Sequence, residues 1–166
     1  MALISAGAVL VRRASEPDGV EREQVSSGPS TKLVRVIALG VTVAVVTGTV
    51  VTGAGPHAGD ENAVRLNVDI STVARIHGAS VIATLIAAVV LAIRLRASAQ
   101  DQRYLQAGFT KWLTVAMMQA VIGYVQYFTG VPELLVLAHV AGASLLYVAT
   151  TQLLLDTSRP AMSLVR

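Results

Sequence analysis

The chain has 166 residues, 54% of them hydrophobic and only 14% charged, with a net charge of +3. A soluble domain usually carries about 25% charged residues, so the composition points to an integral membrane protein. The absence of cysteine excludes disulfides, iron–sulfur clusters and thiolate-bound zinc or haem, leaving His, carboxylate or Met for any metal.

Residues 1–13 begin with an apolar stretch, MALISAGAVLV, followed by Arg12 and Arg13. A signal peptide carries its positive charge before the apolar run, and a spanning helix needs roughly 20 residues. The segment therefore reads as the remnant of a preceding transmembrane helix, with an interfacial helix as the alternative. Residues 14–33 are rich in Ser, Pro, Gly and charge, and read as a cytoplasmic linker. Residues 34–156 then hold four uncharged runs: Val36 to Pro56, Ile76 to Ile93, Trp112 to Pro132 and Leu134 to Leu155. Thr129-Gly130-Val131-Pro132-Glu133 reads as a tight hairpin turn. Residues 157–166 form a tail. The expected fold is all-α, a transmembrane four-helix bundle preceded by a short half-helix.

Lys and Arg are unevenly distributed. Arg12, Arg13, Arg22, Lys32 and Arg35 precede the first run; Arg94, Arg96, Arg103 and Lys111 separate the second from the third; Arg159 and Arg166 follow the fourth. The positive-inside rule makes that side cytoplasmic. Basic residues placed this way report topology and contact with membrane lipids, and no nucleic-acid partner is expected.

His77 and His139 carry the chemistry. Each lies just inside the outer end of a run, the second and the fourth, roughly 5–12 Å deep at 1.5 Å per residue. An intramembrane imidazole is costly and marks a functional site by default. Two at one depth on antiparallel spans suit a single haem iron with two axial imidazoles. Small residues follow each on its own helix: Gly78 and Ala79 after His77, Gly142 and Ala143 after His139. Ser80 and Thr84 share the His77 face. Arg75, at the membrane edge, is a candidate partner for a haem propionate, or else a lipid-phosphate anchor. Gln119, Tyr124, Gln126 and Tyr127 lie on the third run. Gln126 reads as interhelical glue, with a propionate contact as the alternative. Tyr127 and Trp112 read as belt residues at the interfaces. Gly40, Gly48 and Gly53 allow close packing of the first run, and His57 reads as a solvated loop residue, with approach to the haem edge or a metal as the alternative.

The stretches TGTVVTGAGPHAGD, ARIHGAS and QAVIGYVQYFTGVPELLVLAHVAGASLLY, in that order between Leu33 and Leu155, resemble the C-terminal half of bacterial haem A synthase. Residues 1–19 are similar to the end of that family's fourth helix and its central linker. The resemblance implies half of an eight-helix, pseudo-symmetric plasma-membrane protein with its linker and C-terminus cytoplasmic. It implies that His77 and His139 are the axial ligands of one b-type haem. The substrate, haem O, whose ring methyl the family oxidises to a formyl group, belongs to the other half. That half carries a Glu three residues before its first His. Here Ala74 stands at that place and no span contains an acidic residue. No catalytic residue is therefore expected in this chain, and no haem A synthesis by it alone; an upstream half-chain or a second copy would complete it. The alternatives are a stand-alone bis-His cytochrome for electron transfer and a non-haem membrane scaffold.

Overall fold

The structure, a computed structural model, describes residues 2–14, 16, 19–55 and 65–161. Among these are five helices, α1 (Ala2–Arg13), α2 (Gly28–Ala54), α3 (Ile70–Ala97), α4 (Ala99–Phe128) and α5 (Glu133–Leu155), and two short strands, β1 (Arg22–Gln24) and β2 (Ser158–Pro160). The chain is all-α, as its composition predicts. His57 lies outside the described residues.

Helices α2 to α5 form a ring in which α2 packs on α3 and α5, and α4 packs on the same two. Helix α1 lies outside the ring against α5. Helices α2, α3 and α5, with 27, 28 and 23 residues, are long and apolar enough to cross a membrane. Helix α4 is longer, at 30 residues, but less apolar. Asp101, Arg103 and Lys111 occupy its first four turns, and Gln119 and Gln126 interrupt the uncharged remainder. It nevertheless closes the bundle, returning from the end of α3 to the start of α5.

The helix boundaries follow from local chemistry. Ser27 caps α2, its Oγ accepting from Ser30 N–H, and Pro29 occupies the first turn, where its missing N–H costs nothing. The helix therefore begins before the uncharged run does. Asp69 caps α3 by accepting from the N–H groups of Ser71 and Thr72. Ser98 alone separates α3 from α4 and caps the latter through Asp101 N–H. Between α4 and α5, Gly130 takes the left-handed conformation (φ 76°), and Val131 N–H reaches Gln126 C=O at 2.9 Å. That bond closes the helix end in the Schellman manner.

The stretch from 14 to 33 is more structured than a linker composition suggests. Strands β1 and β2 pair antiparallel, Glu23 opposite Arg159, and Val25 N–H donates to Thr157 C=O. The segment before the bundle and the segment after it are thus tied together at the basic end. There too Arg12 of α1 meets Asp156 at 2.6 Å and Gln152 Oε1 at 2.9 Å.

The interior has two unlike halves. Toward the basic end, Val34, Ile37, Leu91, Leu95, Leu105, Phe109, Trp112 and Leu153 fill it with almost no exposed surface. Toward the other end the facing positions are Ala44, Gly48, Ala116, Ala120 and Ala143, and the interior is open. Small side chains let helices approach, but here they face the axis of a ring held apart by the larger core, so they leave a cavity.

Candidate cofactor site

That cavity measures about 410 Å³, within the usual range for small-molecule and cofactor sites. All four helices of the ring line it, and so do both His77 and His139. The two imidazoles singled out by depth in the sequence therefore face one space. Its walls are otherwise mostly apolar, with Val41 and Val45 from α2, Val81 and Leu85 from α3, and Leu146 from α5.

Each imidazole is seated against a glycine of the preceding helix. A Cβ on Gly48 would lie 3.1 Å from His77 Cε1, and a Cβ on Gly123 would lie 3.1 Å from His139 Cε1. The clearing that the sequence suggested on each His's own helix is instead supplied across the helix pair. Gly78 has open space beside it and Ala79 is exposed; neither lines the cavity. Gly142 does not clear space for a ligand either, because a Cβ there would overlap the Gln119 amide. Ala143 does line the cavity. Of the glycines expected to permit close packing in α2, Gly40 meets Thr84, Gly48 meets His77 and Gly53 meets Leu66.

The two rings differ in how they are held. His77 Nδ1 lies 2.9 Å from the carbonyl of Ala44 and 3.3 Å from Thr47 Oγ1. A carbonyl only accepts, so Nδ1 carries a proton, and the neutral ring with that tautomer presents the Nε2 lone pair. Metal-ligating histidines characteristically have this second bond, which fixes tautomer and ring orientation. His139 Nδ1 is buried and has no partner.

Trp112 is not a belt residue. It is fully buried, stacks on Phe109 with centroids 6.1 Å apart, and donates from Nε1 to Thr150 Oγ1 at 2.9 Å. It lines the cavity where the packed core begins. Lys111 just before it makes an interface position the natural expectation; only the tertiary packing turns the ring inward. Tyr127 is 75% exposed and forms a cluster with Tyr124 and Phe128 at the far end of α4, as a belt residue would. Gln126 Oε1 is buried without a partner, so the expected interhelical bond is not made by that atom.

Thr84 lines the cavity, whereas Ser80 turns its hydroxyl back to His77 C=O at 2.7 Å. Arg75 is exposed and outside the cavity lining, and the structure does not bring it to the two imidazoles. Gln119, by contrast, lines the cavity, is 6% exposed, and has an unpartnered Nε2. Its spacing four residues before Gly123 was the available signal for a shared helix face.

No protein-family model, curated protein or solved structure matches this chain.

Proposed function

We propose that this membrane chain is the cofactor-holding half of a haem A synthase-like oxidoreductase, gripping one b-type haem between His77 and His139. The observation that carries the reading is the meeting of both imidazoles in one apolar cavity, each cradled by a glycine of the neighbouring helix. The donor set fits the group: two imidazoles, no thiolate, and a ring tautomer at His77 that leaves Nε2 available. When bound, haem supplies one-electron chemistry through its iron, tuned by axial ligands, burial and hydrogen bonding.

The chain's own residues then have distinct parts. Ala44 C=O holds the Nδ1 proton of His77 and aims the ring. Gly48 and Gly123 keep the backbones of α2 and α4 close to the imidazoles without blocking them. The aliphatic walls exclude water, and Trp112 closes the space toward the basic end. Arg75, near the membrane edge and exposed, is suited to an anionic substituent projecting from the open end or to a lipid phosphate. The basic end lies in the cytoplasm of a bacterium by the positive-inside rule, with the paired strands on that side. Haem O and its oxidation belong to a complementary half, since Ala74 stands where the family's acidic residue would be.

The test is a reduced-minus-oxidised visible spectrum of the purified chain in detergent, beside His77→Ala and His139→Ala. A low-spin b-type spectrum lost in both variants is expected. The same spectrum persisting in either variant, or no iron porphyrin taken up by the intact chain after reconstitution, would overturn the assignment.

A further inference from the structure

The two halves of the ring are built alike at their imidazoles, except at Nδ1. On α2 and α3, His77 has the Ala44 carbonyl. On α4 and α5, His139 Nδ1 is buried with nothing to bond, and so is Gln119 Nε2. A buried polar group left unsatisfied is costly, because it has given up its hydrogen bonds to water and gained none in return. Two such atoms on facing helices are a conspicuous exception to the rule that buried polar groups are paired.

Their positions are complementary. Gln119 sits one turn from Gly123, the residue against which His139 packs, on the same face of α4. Its amide lies over Gly142, three residues past His139 on α5, or about 4.5 Å of helix rise. Any side chain at Gly142 would displace that amide. The glycine thus reserves a place for Gln119 beside the histidine, rather than for the ligand.

We propose that Gln119 is the positioning residue for His139, its amide oxygen accepting the Nδ1 proton as Ala44 C=O does for His77. This rests on the reading of both imidazoles as axial ligands. Rotating an amide by half a turn exchanges its oxygen and nitrogen within the same volume, so either atom can face the ring. With Oε1 toward Nδ1–H, His139 presents the Nε2 lone pair to the cavity, and the two histidines become equivalent donors. Gln119 can be removed by a side-chain substitution, whereas the Ala44 carbonyl that holds His77 is backbone.

Gln119→Leu removes the acceptor at similar size, and Gln119→Asn keeps an amide one methylene too short. Two measurements on the full chain decide the matter. In the haem-loaded protein, losing electron donation through Nδ1–H raises the midpoint potential, so both variants are expected above wild type with the b-type spectrum retained. In the ligand-free protein with ¹⁵N-labelled histidine, the ring resonances of one histidine, the one missing in His139→Ala, are expected to shift in both variants. Asn behaving as wild type in both measurements would overturn the proposal, since polarity in the cavity and not a bond at that reach would then be what matters. So would unshifted ¹⁵N resonances in Gln119→Leu. If wild type takes up no iron porphyrin, the haem reading falls by itself, and the ¹⁵N comparison still decides whether Gln119 holds His139.

Discussion

The basic half of this bundle and the half that holds the histidines use the same four helices for opposite ends. In the first, Leu91, Leu95, Leu105 and Leu153 meet around the axis and leave no space. In the second, Ala44, Gly48, Ala116 and Ala143 occupy equivalent inward positions and leave a cavity. Between them stands Trp112, part of the core on one side and of the cavity wall on the other. The contrast separates a half that fixes the bundle from a half that holds a cavity. The packed half fixes the spacing of the helices, and only because that spacing is fixed can small residues further along hold a space open instead of letting the helices close on it.

Substitutions of opposite kind should separate the two halves. Leu91 is fully buried, and Leu91→Ala should destabilise the fold by about 2–5 kcal/mol, the usual range for a large-to-small change in a core. Gly48→Val works in the other direction. The added Cβ falls 3.1 Å from His77 Cε1 and 3.3 Å from Nδ1, so the ring must shift, and the two methyls of valine press it further from its place beside Ala44. Overpacking there should cost about 1–3 kcal/mol, less than the core truncation. Porphyrin affinity should fall by roughly tenfold or more, equivalent to at least about 1.4 kcal/mol. Thermal unfolding in detergent and a reconstitution titration measure the two effects. A Leu91→Ala protein that bound porphyrin normally while Gly48→Val did so too would erase the distinction between the halves.

The basic end also depends on a carboxylate that no motif announced. Asp101, in the first turn of α4, is fully buried. Its Oδ1 accepts from Ser27 N–H at 2.7 Å and its Oδ2 from the hydroxyls of Ser27 and Ser30, each at 2.7 Å. One side chain thus satisfies the N-terminus of α2 while belonging to that of α4, which also suits the positive end of each helix dipole. Burial pushes its carboxyl up, but the hydrogen bonds from Ser27, Ser30 and Ser98 together hold it below its ordinary 3.8. A carboxyl lowered on folding contributes stability that is full above its unfolded value and is lost as pH falls through the folded one. Asp101→Ala should therefore cost about 1.5–3 kcal/mol at neutral pH, the range for hydrogen bonds to a charged group. The gap from wild type should narrow below pH 3.8. A constant gap across that window would mean that the ionised carboxylate is not what joins the two helices.

These residues mark where the sequence could be read and where it could not. The long apolar helices, the turn at Gly130 and the two histidines within apolar runs are legible because each leaves a local signature: an uncharged run, a Gly-Val-Pro break, an imidazole among aliphatics. That both histidines face one space required only matched depth on alternate helices. The glycine cradles were misplaced, because a residue's own helix is visible in the sequence and the neighbour that packs on it is not; Gly48 and Gly123 are ordinary small residues until α3 and α5 are set beside them. Trp112, at the border of its apolar run, has the position of an interfacial anchor, and hydropathy carries no information on which way a ring at that border turns. Asp101 leaves no signature in the sequence, since its partners Ser27 and Ser30 are more than seventy residues away in the chain.

The smallest expected effect lies at the turn that closes the open half. Val131 has φ 61°, the left-handed region that a β-branched side chain rarely enters. The cost is about 1–2 kcal/mol, and it is sustained here because Val131 N–H completes the end of α4 by bonding Gln126 C=O. Asn tolerates this conformation far better and keeps the N–H, so Val131→Asn should raise stability by about 0.5–1 kcal/mol. Porphyrin uptake should be unchanged, because Val131 does not line the cavity. Unfolding and reconstitution of the single variant measure both. A stabilised protein with weakened uptake would show that the strained turn sets the spacing of α4 and α5 at the open end, and that this half is held by its own loop as well as by the core beneath it.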